Sequence, residues 1–218
     1  MSLTKPGKND EGAQWFVLFL AVALVTGVLI LVVDSMLGTN APQVTGLSKQ
    51  EVADLQYMRE EEKLARDVYL DLFERWQIPM FKRIAQAEQR HMDAVGGLLT
   101  RYRVPDPAMA AKRGEFMDSH LADLYQELTA KGQASLQAGL AVGALIEEVD
   151  IADLDKALEN TQRADIRDVY RTIRRGSRNH LRSFAGQLSA RGAPYKAKVL
   201  TARRVNRILS SPMETGQF

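Results

Sequence analysis

Four stretches of the chain carry apolar residues at alternating spacings of three and four, the period of a helix that buries one face. In the first, Leu55, Met58, Ala65, Tyr69, Leu72 and Trp76 share that face with Glu62. In the second, Phe81, Ile84, Val95 and Leu98 share it with Glu88 and His91. The third aligns Leu136, Leu140, Gly143 and Leu154 with Glu147 and Asp150, and the fourth aligns Ile166, Tyr170, Ile173 and Phe184 with Ser177 and His180. Each seam therefore turns polar near its middle, while strand-like alternation is nearly absent. The pattern predicts an all-α fold with a bundle of four long helices.

Local signals set the boundaries of these helices. Ser48 and Glu51 have the spacing of a capping box, with Leu47 and Val52 as its hydrophobic staple, so the first helix starts at Ser48 and runs to about Trp76, before Pro79. The second runs from near Pro79 to Tyr102, where Pro105 and Pro107 end it. The third covers about Ala134 to Glu159 and the fourth Ala164 to Arg191, with Gly192 as the stop. Between the second and third lie about thirty residues, with Leu121, Leu124, Tyr125 and Leu128 marking a short helix. A link that long returns the chain to the same end of a bundle, so two antiparallel hairpins joined by one crossover are expected.

Ahead of the bundle, Trp15 to Val33 is an uncharged, strongly apolar run long enough to cross a bilayer. It predicts a short tail (1–14), a transmembrane helix (15–34) in contact with the lipid bilayer, a Gly/Pro/Ser-bearing linker (35–47), the bundle (48–192) and a basic C-terminal tail (193–218). The run is long for a cleaved signal peptide. Lys5 and Lys8 suggest a cytoplasmic tail, a signal diluted by Asp10 and Glu11, so the expectation is a single-pass protein of a bacterial inner membrane with a periplasmic domain.

Composition narrows the chemistry. Cysteine is absent, which excludes disulfides, thiolate nucleophiles, iron–sulfur clusters and Cys-ligated zinc. The net charge of +2 and the lack of a nucleic-acid motif give no reason to expect nucleic acid as a partner. The positive charge is concentrated late in the chain, at Arg174, Arg175, Arg178, Arg182, Arg203, Arg204 and Arg207. Such a face suits anionic headgroups or an acidic protein. Residues after Ala193 have no apolar period sufficient to fold alone; if ordered, they need something to hold them, such as a membrane protein partner or a second copy of the chain.

The polar seam positions carry the candidate chemistry. Taken singly, each has an ordinary structural role open to it: Glu62 can pair with Arg66, Glu88 can bond a buried Tyr, and His180 can be a satisfied core histidine. Taken together, Glu62, Glu88, His91, Glu147, Asp150 and His180 put acids and imidazoles at one level of a core whose seams hold no Lys or Arg. Ionised carboxylates in such a core cost several kcal/mol each without a counter-charge. Metal ions supply one, and this donor set suits iron or manganese best, with zinc as a further choice. His120 falls off every seam and reads as a surface histidine, whereas Tyr69 and Tyr170 stand where a hydroxyl can hydrogen-bond a ligand or the ring can simply pack in the core.

The motifs Arg59-Glu-Glu-Glu-Lys-Leu-Ala-Arg-Asp-Val-Tyr69, Glu88-Gln-Arg-His91-Met92, Ile146-Glu-Glu-Val-Asp-Ile-Ala-Asp-Leu154 and Ser177-Arg-Asn-His-Leu181 resemble those of the ferritin-like superfamily. Within it, they are most similar to a bacterial and archaeal ferritin-like domain family of unknown function. The resemblance covers about Leu47 to Tyr195 and implies a di-iron type of site in which Glu62, Glu88, His91, Glu147 and His180 are ligands. Ser177 stands where the superfamily has a second Glu-x-x-His, which leaves an asymmetric or single-metal site, with Asp150 as the replacement carboxylate. Iron or oxidant handling is the implied activity. An accessory subunit of a larger membrane complex, using the bundle as a docking module, is the alternative.

Overall fold

The computed structural model describes residues 46–216, which contain six α-helices and no strand. The transmembrane prediction at 15–34 lies outside these residues, and among those described no helix is long and apolar enough to cross a membrane. The four long helices are α1 (Lys49–Trp76), α2 (Pro79–Tyr102), α4 (Leu136–Asn160) and α5 (Ala164–Ser189). The short α3 (Ser119–Gln133) lies in the crossover and α6 (Ala202–Ser210) in the tail.

The capping box forms as the spacing predicts: Glu51 N–H donates to Ser48 Oγ at 3.1 Å and Ser48 N–H to Glu51 Oε2 at 2.8 Å. Gln77 and Arg103 close α1 and α2 in the left-handed conformation, and Pro79 occupies the first turn of α2, where its missing N–H is not needed. Ser135, with φ −159°, is the N-cap of α4 and accepts from Ala138 N–H, so that helix begins at Leu136, the first seam residue, two residues after the boundary expected near Ala134. The helices pair as α1 with α2 and α4 with α5, closed by contacts of α1 with α4 and α2 with α5.

One end of the bundle is an apolar cluster built on Leu55, Leu99, Leu154, Ile166 and Ile173. At the other end the Phe184 ring packs on Tyr69 and Phe81, with centroids 5.2 and 5.7 Å away. Between these apolar ends lies the polar layer.

The crossover is held to α1 by acids and bases that avoid the bundle seam. Arg59 pairs with Asp106 at 3.0 Å, and Glu60 accepts from the N–H groups of Met117 (2.6 Å) and Asp118 (3.0 Å). Lys63, wholly buried, donates to Asp67 and to the Lys112 carbonyl, and its ammonium lies over the Phe116 ring. Buried charges persist where they are paired and fully hydrogen-bonded, as these are.

The segment after Gly192 is held by the bundle itself. Glu148, with no exposed surface, accepts from the Tyr195 hydroxyl and from the N–H groups of Lys198, Val199 and Leu200. Val205 and Ile208 of α6 are buried, and Glu214 pairs with Arg178 and Arg182. Asp155 takes Arg174 and Arg204. Four of the arginines that suggested an open basic patch are therefore in intramolecular ion pairs, and the ordered tail does not require a partner to hold it.

Replacing Glu148 by Ala should leave four donors around an empty buried site, destabilising the domain by about 3 kcal/mol. Tail residues should become open to trypsin at Lys196 and Lys198 before the domain unfolds. Urea denaturation and timed proteolysis measure the two effects. An unchanged digestion pattern would show that the tail is held by other contacts.

Candidate metal centre

Glu62 comes from α1, Glu88 and His91 from α2, Glu147 from α4 and His180 from α5, and all are buried or nearly so. Helical spacing accounts for the convergence of Glu88 and His91, since residues three apart share a face. The five side chains fall into two groups, Glu62–Glu88–His91 and Glu88–Glu147–His180, each with donor atoms within 4.8 Å of one another. Glu88 belongs to both. Its Oε2 lies 2.6 Å from His91 Nδ1 and its Oε1 2.8 Å from His180 Nδ1, so one carboxylate faces two imidazoles with opposite oxygens.

The contacts are close without being satisfied. Glu88 Oε1 and His180 Nδ1 pair at 2.8 Å in poor hydrogen-bond alignment, and Glu62 Oε1 lacks a partner among the described residues, although all three atoms are buried. Buried polar atoms in folded proteins are nearly always hydrogen-bonded. Both groups are positioned so that they could hold a metal ion. A cavity of about 10 Å³ lined by Glu61, Glu62, Glu88, Glu147 and Asp150 opens beside them, the space one water or cation needs.

Electrostatics among these side chains follow from this crowding. Burial pushes Glu62 up to about 7 despite the opposing effect of His91. Burial and the neighbouring Glu88 carboxylate carry Glu147 to about 7. Burial works against a charged His180, but Glu88 and Glu147 outweigh it and raise the imidazole to about 10. His91 is raised in the same sense by Glu88 and Glu62. Burial opposes ionisation of Glu88 too, and the two imidazoles overcome it, holding that carboxyl well below the usual range. The histidine protons occupy the role that cations would take.

Surrounding residues fix these side chains. Tyr69 Oη donates to Glu147 Oε1 at 2.6 Å, the contact its seam position suggests. Tyr170 instead belongs to the apolar cluster, away from this layer. Asp150 is buried but lies in neither group; its Oδ2 is in hydrogen-bond contact with Ser177 Oγ, whose single O–H also has the Ile173 carbonyl within reach at 2.9 Å. Arg66 bonds Asp67 and Gln89, not Glu62, so Glu62 is not a simple ion-pair acid. His120 is half-buried and belongs to neither group.

Two residues of this site escape the seam pattern. Glu61 lines the cavity from just off the seam. Gly176 lets α5 approach His91, because a Cβ there would fall 2.7 Å from Nε2 and 2.8 Å from Cε1. Its signal was a glycine in mid-helix, which usually has a packing reason.

Residues 51–212 match the family described as uncharacterized protein domain (DUF2202). The uncharacterized protein MJ0754 of Methanocaldococcus jannaschii is 44% identical over 170 residues, spanning 78% of this chain and 92% of that protein. The crystal structure of hypothetical protein MJ0754 superposes with a TM-score of 0.76 at 43% identity, covering 81% of this chain and all of the other.

Gly176→Ala should push the His91 ring out of place and weaken metal binding about ten- to a hundred-fold, while circular dichroism stays helical. Binding unchanged from wild type would show that α5 or the ring yields without cost. Metal binding should also release protons at pH 7. Ligation needs a neutral His180 and ionised Glu62 and Glu147, so affinity should rise with pH between about 7 and about 10. Calorimetry in buffers of different ionisation enthalpy counts the protons; none released would contradict this charge distribution.

Proposed function

We propose that the chain, which belongs to the DUF2202 family, is a ferritin-like metal-binding protein whose bundle holds two metal ions, most suitably iron, in iron or oxidant handling. The carrying observation is the division of the ligand set into two groups that share Glu88, one oxygen of which faces each histidine. Each group offers two carboxylates and one imidazole, a donor set suited to iron or manganese and acceptable to zinc. An asymmetric or single-ion site follows less readily, because His91 and His180 stand in equivalent relation to Glu88.

A redox-active pair would supply electron transfer to an oxidant. The chain's own part is to hold three carboxylates and two imidazoles in a nearly dry core, to orient Glu147 through the Tyr69 hydroxyl, and to limit access through the bundle wall. With no cysteine in the chain, an electron donor has to be a separate molecule. The apolar run at residues 15–34 supports a membrane tether for the whole protein, testable by whether the full chain partitions with membranes and a chain starting near residue 46 does not.

Metal analysis of carefully purified protein should find two ions per chain, and Glu88→Ala should lower both. Chelation should lower the melting temperature, because a cation that binds only the folded state adds to its stability. Identical thermal unfolding with and without chelator, together with substoichiometric metal, would defeat this reading. It would favour the accessory-subunit alternative, in which the bundle serves only as a docking module.

A further inference from the structure

Glu61 has no part in either ligand group, yet it is 6% exposed and its Oε2 meets no hydrogen-bond donor among the described residues. Asp150, also 6% exposed, spends Oδ2 on Ser177 and leaves Oδ1 equally without a donor. Both residues line the small cavity that also touches Glu62, Glu88 and Glu147, and no lysine or arginine is among its lining residues. The structural acids of the same helices differ sharply: Glu60, Asp67 and Glu148 all have their oxygens filled by N–H or ammonium donors.

We infer that Glu61 and Asp150 form a third divalent-cation position, beside the metal pair, from which the pair is loaded. Two divalent ions in the pair leave one of the five cavity carboxylates uncompensated, so the Glu61–Asp150 side keeps a negative potential after the pair is filled. Two orphaned oxygens from different helices, α1 and α4, are hard donors of the kind a divalent cation takes with water completing its shell. Asp153, one turn beyond Asp150, extends the acidic face of α4 toward solvent, where Lys156 pairs with it at 2.8 Å and is half exposed. A cation approaching there exchanges Lys156 for Asp153, then meets Asp150 and Glu61, then the Glu62 side of the pair.

This inference rests on the reading of the two groups as a metal pair, and Mn²⁺ as the sole probe separates the two. Anomalous diffraction from crystals of the protein in saturating Mn²⁺ should show three peaks per chain, one between Glu61 and Asp150. Glu61→Gln and Asp150→Asn, which preserve shape, should each lose that peak and keep the other two. Both variants should also fill the pair about tenfold more slowly in stopped-flow uptake. Two peaks in the wild type, with none at Glu61, would mean that these are protonated carboxyls only and would overturn the third position while leaving the pair intact. A third peak that survives both substitutions would overturn the assignment of its ligands. No peak at all would remove the pair and the third position together.

Discussion

Carboxylates in the middle of a helical bundle need positive charge beside them, and most of the structure around the polar layer can be traced to that need. Five acids line one cavity without a lysine or arginine among its lining residues. Two histidines are the available cations, and the site draws protons onto both. The arrangement is compact enough that Glu88 answers two imidazoles at once. It is also incomplete, because several of its buried oxygens have no partner. Packing alone does not account for a core with that deficit, and its Glu and His groups are positioned as a metal ion would need.

Hydrogen-bond accounting separates the acids that build the fold from those that do not. Helix α1 has three consecutive glutamates, and their fates differ by rotation around the helix. Glu60 points to the crossover and receives two backbone N–H groups, whereas Glu61 and Glu62 turn toward the cavity and keep an unpaired oxygen each. Helix α4 repeats the division in two adjacent residues: Glu147 faces the histidine and Glu148 clamps the tail. The tail therefore grips the residue next to Glu147, a member of one candidate group. Both jobs fall on the same turn of helix, so the position of Glu147 depends in part on how well the last twenty residues are docked.

The four seams read from the sequence correspond to α1, α2, α4 and α5, and the five residues that converge lie on them. Period alone could find these because an acid or histidine within an apolar face is costly to bury unless a partner or an ion compensates it. What it could not find were interactions set by residues far apart in sequence. The tail seemed unable to fold because its apolar positions, Val205 and Ile208, are too few for a helix that stands alone. Docked on α5, with Arg182 donating to the Ile208 carbonyl, they suffice. Tyr170 has the right period for the site but the wrong level, since a seam fixes the face of a helix and not the height at which a hydroxyl finds a partner. Gly176 and Glu61 were hidden for related reasons: one acts by lacking a side chain, and the other sits one residue away from the seam.

Ser177 bears most directly on what the site can do. In place of a fourth-helix carboxylate it presents a hydroxyl, and that hydroxyl ties up Asp150 Oδ2 instead of reaching either group of ligands. Each group is left with one private glutamate, one private histidine and half of Glu88, which is three protein atoms where four to six donors would complete a coordination shell. Closed shells are the mark of structural metal sites, and sites that act on a bound molecule keep positions open. The serine thus does not merely delete a ligand. It holds Asp150 apart from both groups and leaves room on the cavity side, where Glu61 Oε2 also lacks a partner among the described residues, so an ion placed in either group would keep open positions on that side.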